Sequence, residues 1–437
     1  MPDQVRRSLA DWLVHIEARH PKAIEMGLER VREVAARLRL PRPAKRVATV
    51  AGTNGKGSTV AFIEAIARAG GWRTGCYTSP HLLRYNERVR IDGREADDET
   101  LVAAFEAVEA ARGDTPLTYF ETGTLAALWL FAQGDAGGSL DLAVLEVGLG
   151  GRLDATNLVD PDVAVITTVD LDHQDWLGED REAIGAEKAG IARAWTPLVL
   201  GEDDPPASVL RHAYAIGAPA IRAGCDYLFA RDPDGAGWHW REPGFALQLP
   251  SPALDAPVQL RNAAAAIAAL RALDAPFAPD AYAHGVAAAG APARLQRIAH
   301  AGREVLVDAG HNPQAARALA EALGARPHGR TLAVYAALAD KDHAGVALAL
   351  ADRVEAWFLA GSQAAGARGL GVDALAHALA GTPAVEGLRF ADVREALVAA
   401  LAQAGADDRV LVFGSFHAAA EALRALNADR GAGGAVR

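Results

Sequence analysis

The sequence has few cysteines: only Cys76 and Cys225 occur among its 437 residues. Two thiols can form at most one bridge, which excludes a disulfide framework, and we expect both to be small buried hydrophobic side chains. Long hydrophobic runs are also missing, because the longest apolar stretches, at 125–132 and 263–270, fall far below the ~18 residues that a membrane-spanning helix needs. A disulfide scaffold or a membrane-spanning protein is therefore not expected.

Acidic residues outnumber basic ones, with 55 Asp and Glu against 44 Lys and Arg, which gives a formal net charge of −11. The broad positive field that non-specific nucleic-acid binding requires is absent, so any phosphate must be bound by a local site. The first residues contain no uninterrupted apolar segment of the kind that a secretory signal carries. We expect a soluble cytoplasmic protein with no nucleic-acid or membrane partner.

After two helices predicted within the first forty residues, strands and helices alternate along the chain. Near-continuous apolar runs at 141–147 and 163–169 are typical of parallel strands covered on both faces. A second alternating series begins near residue 300, with strands predicted at 304–307, 331–335, 356–360 and 409–413. We therefore predict two α/β domains, 1–299 and 300–437, and a cleft between domains is the default place for an active site.

A glycine-rich turn between a strand and a helix is the strongest local signal. The segment Val50-Ala51-Gly52-Thr53-Asn54-Gly55-Lys56-Gly57-Ser58-Thr59 lets backbone N–H groups and a helix N-terminus meet phosphate oxygens. Lys56 can neutralise the phosphates, and a hydroxyl group of Ser58 or Thr59 can bind Mg²⁺. The Walker pattern is not strictly met, because Gly57 separates the lysine from the serine. An ordinary strand–helix turn is the alternative interpretation.

Ionisable side chains follow the next two predicted strands. Glu146 ends an apolar strand ahead of a second glycine-rich loop, and a carboxylate combined with phosphate oxygens is a ligand set that Mg²⁺ prefers. His173 follows the next strand among several aspartates, where it either ligates a metal or makes an ordinary loop hydrogen bond. Lys188 lies on a predicted helix and by itself indicates only an exposed lysine.

In the second half, polar clusters again follow predicted strands. Asp308 and His311 come after the strand at 304–307, and Ser415 comes after the strand at 409–413. The stretch Asp340-Lys341-Asp342 follows the strand at 331–335. Each cluster is a weak signal alone, but their shared position at one sheet edge suits the wall of a cleft.

Taken together, these residues resemble the folylpolyglutamate synthase family, whose members are Mur-ligase-like enzymes that use ATP to drive amide-bond formation. The resemblance runs from about residue 9 to 420, in order and with family-like spacing. Besides the segment 52–58, it rests on Ser79-Pro80-His81-Leu82 with Glu87-Arg88, Thr118-Tyr119-Phe120-Glu121, Leu145–Asn157, Asp172-His173 with Trp176-Leu177-Gly178, Glu187-Lys188-Ala189-Gly190 and His311-Asn312-Pro313. One departure is Pro292-Ala293-Arg294-Leu295-Gln296, where the family usually has Pro-Gly-Arg-Phe-Gln.

The resemblance implies an α/β fold, with a P-loop N-terminal ATPase domain on a mostly parallel sheet and a smaller Rossmann-like C-terminal domain. It implies ATP and Mg²⁺ as cofactors, with two metal sites, a lysine carbamylated by CO₂, room for a monovalent cation, and a monomeric protein. The segment 18–31 resembles the bifunctional dihydrofolate synthase/folylpolyglutamate synthases, where it helps to bind dihydropteroate. The expected substrates are therefore 7,8-dihydropteroate, tetrahydrofolate and L-glutamate.

The same resemblance assigns expected roles to individual residues. ATP would be bound by Thr53, Asn54, Gly55, Lys56, Gly57, Ser58, Asn262, Arg294 and Asp308. Metal ligands would be Ser58, Ser79, Glu146 and His173, and Lys188 would be the carbamylated lysine. The pterin would contact Ile24, Glu25, Met26, Thr118, Tyr119, Phe120, Glu121, Leu153, Asp154 and Ala155. Arg88, His311 and Ser415 would meet the glutamate or the acyl phosphate, and the catalytic set would be Lys56, Lys188, His173 and His311.

Three alternatives remain open. A single-activity folylpolyglutamate synthase would share every motif except the 18–31 segment. A muramyl-peptide ligase would be expected to carry an additional N-terminal domain, and the glycine-rich turn begins too early to leave room for it. A nucleotide-dependent switch without ligase activity would leave the segments 118–121 and 311–313 without a role.

Overall fold

The computed structural model describes residues 7–20, 22, 25–134, 138–233, 235–326 and 328–433. The chain divides into two compact units: the first runs through Ala253 and includes Leu260–Gly290, and the second comprises Leu254–Gln259 and the chain from Ala291 onward. The sequence places this boundary later, between 299 and 300. The difference arises because Gln296–His300 is a strand that pairs antiparallel with Arg303–Val307 in the sheet of the second unit.

An eight-stranded sheet organises the first unit. Six of its strands pair in parallel, and two antiparallel pairings lie at one edge, where Val89–Ile91 pairs with Thr74–Tyr77 and with Arg94–Glu95. The strands are β1 (Arg46–Ala51), β2 (Thr74–Tyr77), β3 (Val89–Ile91), β4 (Arg94–Glu95), β5 (Leu142–Glu146), β6 (Val163–Ile166), β7 (Leu198–Leu200) and β8 (Ala220–Arg222), in the order β4-β3-β2-β5-β1-β6-β7-β8. The apolar runs at 141–147 and 163–169 form β5 and β6, which are buried along their whole length.

Helices cover both faces of this sheet, because each presents an apolar stripe to the strands. They are α1 (Leu9–Glu17), α2 (Glu29–Leu38), α3 (Lys56–Ala69), α4 (Asp98–Arg112), α5 (Tyr119–Gln133), α6 (Gln174–Leu177), α7 (Arg181–Ala189), α8 (Ala207–Ile216), α9 (Val258–Ala272) and α10 (Pro279–Ala288). One core cluster joins α1, α2, α4 and α5 to the sheet, and another joins α7 and α8. A small antiparallel sheet, in the order β11-β10-β9, is formed by β9 (Leu228–Arg231), β10 (Gly237–Glu242) and β11 (Phe245–Pro250).

A six-stranded sheet organises the second unit, and all its pairings except β12–β13 are parallel. Its strands are β12 (Gln296–His300), β13 (Arg303–Val307), β14 (Thr331–Tyr335), β15 (Ala356–Ala360), β16 (Leu388–Phe390) and β17 (Arg409–Phe413), in the order β12-β13-β17-β14-β15-β16. Its helices are α11 (Pro313–Gly324), α12 (His343–Ala349), α13 (Val372–Ala378), α14 (Val393–Gln403) and α15 (Phe416–Gly433). The predicted α/β fold, with a large mostly parallel sheet and a second sheet in a smaller unit, is therefore confirmed.

The two cysteines are not paired. Cys76 is buried in β2, as expected, whereas Cys225 is exposed, so the expectation of burial is wrong for Cys225. Cys225 lies in the turn between β8 and β9, where no layer covers it. Among the helices of the described residues, none has the length and apolar character required to cross a membrane.

Candidate active site

The glycine-rich loop that joins β1 to α3 is anchored on the segment that follows β6. The Thr53 N–H donates to the Thr168 carbonyl oxygen at 2.8 Å, and the Asn54 N–H donates to Thr168 Oγ1 at 3.2 Å. The Thr167 hydroxyl donates to the Asn54 carbonyl oxygen at 2.5 Å, and the Asp170 N–H donates to Thr53 Oγ1 at 3.0 Å. Sequence reasoning did not identify Thr167 and Thr168, although hydroxyl groups directly after a buried apolar strand are a signal for them.

Two glycines allow this close approach. A Cβ atom at Gly52 would lie 1.8 Å from Thr167 Oγ1, and one at Gly55 would lie 2.5 Å from Asn262 Oδ1 on α9. The Lys56 ammonium group donates to the carbonyl oxygens of Gly52 and Thr53, at 2.9 and 3.3 Å. The loop thus has the glycines, the cation and the helix N-terminus that a phosphate site requires. Gly57 and buried Ser58 follow in the first turn of α3.

Glu146 lies beside this loop at the carboxyl end of β5. It is paired in register with Val50 of β1, and only 4% of its surface is exposed. Its Oε2 accepts a hydrogen bond from the backbone N–H of Ser79 at 3.1 Å, so two of the predicted metal ligands are neighbours. Across the described residues, no group of three or more His, Cys, Asp or Glu side chains is placed to hold a metal ion by itself.

His173 begins the short helix α6 and has a left-handed backbone, with a φ of +52°. Its N–H donates to Asp172 Oδ1 at 2.9 Å, and its Nε2 lies 3.9 Å from the same oxygen. The ring and the carboxylate are thus neighbours at a distance longer than a hydrogen bond, on the segment that follows β6.

Lys188, on α7, is buried in the structure, so the interpretation as an exposed helical lysine is wrong. Its exposed fraction is 3%. Burial, with the positive charge of Lys56, lowers the pKa of Lys188 to about 7, while the carboxylates of Asp172 and Glu202 oppose the shift. Lys56, Asp172 and Glu202 therefore each lie close enough to Lys188 to influence its protonation. Sequence reasoning missed Glu202, although an acid just beyond the end of β7 is the same kind of signal as Glu146.

The residues expected at the pterin surround the second glycine-rich loop. A Cβ atom at Gly148 would lie 2.6 Å from the Phe120 ring, and one at Gly150 would lie 3.6 Å from Met26 Cε. Phe120 and Met26 thus contact the same loop from α5 and from the segment before α2. Leu153 is half-buried, Ala155 is buried, and Ile24 lies outside the described residues.

Several other residues expected at the pterin make hydrogen bonds or ion pairs with other groups of the protein. Thr118 and Glu121 form the capping box of α5, and Glu121 Oε1 also accepts from Arg30 Nη2 at 2.8 Å. Asp154 accepts from the N–H groups of Gly148 and Leu149 and from both the N–H and the hydroxyl of Thr156. Burial raises the pKa of the Asp154 carboxyl despite these four donors. Glu25 makes ion pairs with His20, at 3.0 Å, and with Lys22 and Arg30, both at 3.6 Å.

Arg88 is buried in the same unit. Its Nε donates to His81 Nδ1 at 2.8 Å, and its guanidinium carbon lies 5.4 and 5.5 Å from the ring centres of Tyr85 and Tyr119. The rings fix the plane of the guanidinium group, which is a suitable arrangement for binding a carboxylate or an acyl phosphate.

In the second unit, Arg294, Asp308, His311 and Ser415 lie near the carboxyl ends of β13 and β17. Asp308 accepts from the N–H groups of Leu295 and Gly310, at 2.7 and 2.6 Å. Burial raises the pKa of the Asp308 carboxyl, and the positive charge of Arg294 opposes that shift. Arg294 lies 5.2 Å from the centre of the Phe416 ring, and His311 Nδ1 lies 3.0 Å from the Ala309 carbonyl oxygen. The Ser415 hydroxyl donates to the Ala336 carbonyl oxygen and accepts from the Ala418 N–H, so it holds the start of α15.

Two domain families match the chain: the Mur ligase middle domain at residues 50–227 and the Mur ligase glutamate ligase domain at residues 293–416. The chain is 45% identical to the dihydrofolate synthase/folylpolyglutamate synthase of Escherichia coli strain K12 over 98% of both proteins. Among solved structures, E. coli FolC in complex with DHPP and ADP superposes with a TM-score of 0.91 at 45% identity, over 97% of this chain and 99% of that one. A bifunctional folylpolyglutamate synthase/dihydrofolate synthase with Mn, AMPPNP and L-glutamate bound gives 0.88 at 45% identity, over 98% and 100%.

Proposed function

Because the chain belongs to the dihydrofolate synthase/folylpolyglutamate synthase family of ATP-dependent ligases, we propose that its phosphate loop activates a pteroate or folate carboxylate for amide formation with L-glutamate. The observation that carries this proposal is the anchoring of residues 53 and 54 on the 167–170 segment, beside Lys56 and Glu146. That arrangement supplies the positioning and charge neutralisation on which phosphoryl transfer depends.

Two steps complete the reaction. A carboxylate oxygen of the substrate attacks the γ-phosphorus of ATP, the bond to the bridging oxygen breaks, and an acyl phosphate and ADP form. The α-amine of glutamate then attacks the acyl carbon, inorganic phosphate leaves with the bonding electrons, and the nitrogen loses a proton. Lys56 is the proposed cation at the transferred phosphate, since its ammonium group already lies over the loop. Thr53, Asn54, Gly55, Gly57 and Ser58 are proposed to surround the phosphates.

Ser58, Ser79, Glu146 and His173 are proposed as ligands at two Mg²⁺ sites. The donors fit this ion, because Mg²⁺ takes one or two protein ligands and completes its shell with phosphate oxygens and water. When bound, the ion would neutralise charge on the transferred phosphate.

Lys188 is proposed to be carbamylated. An amine attacks CO₂ only in its neutral form, and a pKa of about 7 keeps much of Lys188 neutral at physiological pH. A nitrogen–carbon bond then forms, one proton is released, and the product is a carboxylate that would serve as an additional metal ligand. A monovalent cation in the site is a further proposal, supported by the resemblance alone.

The pterin is proposed to bind along the loop 148–155, with Met26 and Phe120 on its two sides. Glu25, Thr118, Tyr119, Glu121, Leu153, Asp154 and Ala155 remain in the proposed set. The side chains of Thr118, Glu121 and Asp154 are engaged within the protein, which supports a contribution through their backbone and through the shape of the loop. Arg88, His311 and Ser415 are proposed for the glutamate or the acyl phosphate, and Asn262, Arg294 and Asp308 for ATP.

We also propose a cytoplasmic monomer that acts on small molecules alone. The two unpaired cysteines suit a reducing compartment. Light scattering coupled to size-exclusion chromatography measures the mass in solution, and a mass of two chains would contradict the monomer.

The decisive experiment incubates the pure protein with ATP, Mg²⁺, L-glutamate and either 7,8-dihydropteroate or tetrahydrofolate, followed by mass analysis of the products. A gain of one glutamate on each substrate is expected. A gain on tetrahydrofolate alone would instead establish a single-activity enzyme. ATP hydrolysis that ignores both substrates would favour the nucleotide-dependent switch.

A further inference from the structure

Arg181 and Glu202 hold the two peptide groups that flank Val169, one through the Val169 N–H and the other through the Val169 carbonyl oxygen. The Val169 N–H donates to Glu202 Oε1 at 3.0 Å, and Arg181 Nε donates to the Val169 carbonyl oxygen at 2.9 Å. The two side chains are paired with each other, with 3.2 Å between Arg181 Nη2 and Glu202 Oε2, and the same nitrogen donates to the Asp204 carbonyl oxygen at 3.0 Å. Only 14% of the Glu202 side chain is exposed.

Val169 lies between the two residues that carry the phosphate loop. Thr168, on one side, accepts the N–H groups of Thr53 and Asn54, and Asp170, on the other, donates its N–H to Thr53 Oγ1. The Val169 N–H shares a peptide group with the Thr168 carbonyl, and the Val169 carbonyl shares one with the Asp170 N–H. A shift of either peptide would therefore move an anchor of the loop. Arg181 and Glu202 themselves make none of these contacts with the loop, so their effect on it would pass through the backbone.

We propose that the Arg181–Glu202 ion pair is a positioning device that sets the phosphate loop in its nucleotide-binding conformation. This inference rests on the proposed function, because it assumes that the loop binds ATP. Partners that orient binding groups in this way typically change affinity or activity by roughly 10–100-fold when they are removed. The ion pair joins the end of β7 to α7, which no local sequence pattern would connect to the loop after β1.

The same unit contains a matched ion pair that serves as a control. Asp92 accepts from the Thr74 N–H at 2.9 Å and from Arg73 Nε at 3.1 Å, so it too joins one backbone N–H to one arginine. It directly follows β3, beside Thr74 at the start of β2, and so lies at the amino end of the parallel strands, whereas the phosphate loop follows the carboxyl end of β1. Loss of either carboxylate should lower stability to a similar extent, whereas only loss of Glu202 should affect nucleotide binding.

The test measures the Kd for Mg-AMPPNP, the KM for ATP, kcat and the thermal midpoint in Glu202→Gln, Arg181→Met, the double variant and Asp92→Asn. We expect Kd and KM for ATP to rise roughly tenfold in each of the first two. The double variant should be no worse than either single one, because the two side chains are paired with each other and hold the same backbone segment. In Asp92→Asn, the Kd for Mg-AMPPNP and the KM for ATP should stay within about twofold of the wild type. Arg181→Lys keeps the positive charge and should bind Mg-AMPPNP more tightly than Arg181→Met does.

An unchanged Kd in Glu202→Gln with a midpoint lowered as in Asp92→Asn would reduce the pair to a structural role and overturn the inference. Additive losses in the double variant would overturn it as well. If the wild-type protein itself neither binds Mg-AMPPNP nor makes product, the proposed function fails instead, and the two outcomes are thereby distinguished.

Discussion

Gly55 of the phosphate loop faces Asn262 of α9 so closely that a Cβ atom on the glycine would lie 2.5 Å from the amide oxygen. Gly55 also has a φ of +86°, in the left-handed region that residues with side chains avoid. Two independent constraints, one conformational and one steric, therefore require glycine at this position. Asn262 is 4% exposed, so it cannot easily move away.

Gly55→Ala is expected to raise the Kd for Mg-ATP by at least about tenfold, because the alanine adds roughly 1–2 kcal/mol of left-handed strain and a clash with Asn262. Gly71→Ala is the matched control, since Gly71 has a φ of +83° but nothing within 4 Å of its Cβ position. Calorimetric titration with Mg-AMPPNP measures the affinities. Equal affinity losses in both variants would show that the Asn262 contact has no role in binding.

Lys56→Ala is expected to lower ligation with dihydropteroate and with tetrahydrofolate by roughly 10²–10³-fold, while the fold is kept. The reason is the loss of the cation that lies over the phosphate loop. Lys45→Ala removes an exposed lysine that pairs with Asp141 and should leave ligation unchanged. Retained ligation in Lys56→Ala would remove this lysine from the mechanism.

Lys188→Met is expected to lose activity and yet to gain stability near pH 7. The folded-state pKa of about 7 lies below the usual 10.5 of lysine, so between these values the unfolded chain holds a proton that the folded chain has released. The wild type should therefore gain stability relative to Lys188→Met as the pH rises from 7 to 10, by on the order of a few kcal/mol. Urea unfolding in CO₂-free buffer at several pH values measures the difference, and a constant difference would contradict the lowered pKa.

The carbamate itself is testable by ¹³C NMR in ¹³C-bicarbonate. The wild type should show a carbamate resonance that grows as the pH rises through 7, because the neutral amine is the reactive form. Lys188→Met should lack this resonance. A spectrum identical in the two proteins would exclude carbamylation of Lys188.

Met26→Ala is expected to reduce kcat/KM for dihydropteroate more than for tetrahydrofolate, by roughly tenfold on the former. The reason is that Met26 lies against the loop proposed to hold the pterin, in a segment that resembles the dihydropteroate-binding one. Steady-state kinetics with both substrates measures the two ratios. Equal losses on both substrates would contradict the assignment to the dihydropteroate site.

Thr118→Ala is expected to lower stability by about 1 kcal/mol, because it removes one half of the capping box at the start of α5. Thr118→Ser keeps the hydroxyl and should unfold like the wild type. Thermal unfolding measures both. A KM for the pterin substrate raised equally in Thr118→Ser and Thr118→Ala would indicate a direct contact made by the methyl group, which both variants lack.

Local patterns predict much of this molecule, because buried parallel strands are short apolar runs and a phosphate loop is contiguous in sequence. The predicted strands at 331–335, 356–360 and 409–413 agree with the structure, and Glu146 is correctly expected at a strand end. Composition alone excludes a disulfide framework, since two thiols cannot build one.

The tertiary structure decides which polar side chains are available for chemistry. Asp154 and Thr118 stand in motifs that look like ligand contacts, yet in the fold their oxygens accept backbone N–H groups. The local sequence predicts an exposed Lys188 on a helix, but the neighbouring elements bury this side chain and lower its pKa. Glu202 can accept a hydrogen bond from the Val169 N–H because β7 pairs with β6, and that pairing is not visible in the local sequence. Burial and proximity depend on strand order and helix placement, and those depend on contacts between residues far apart in the chain.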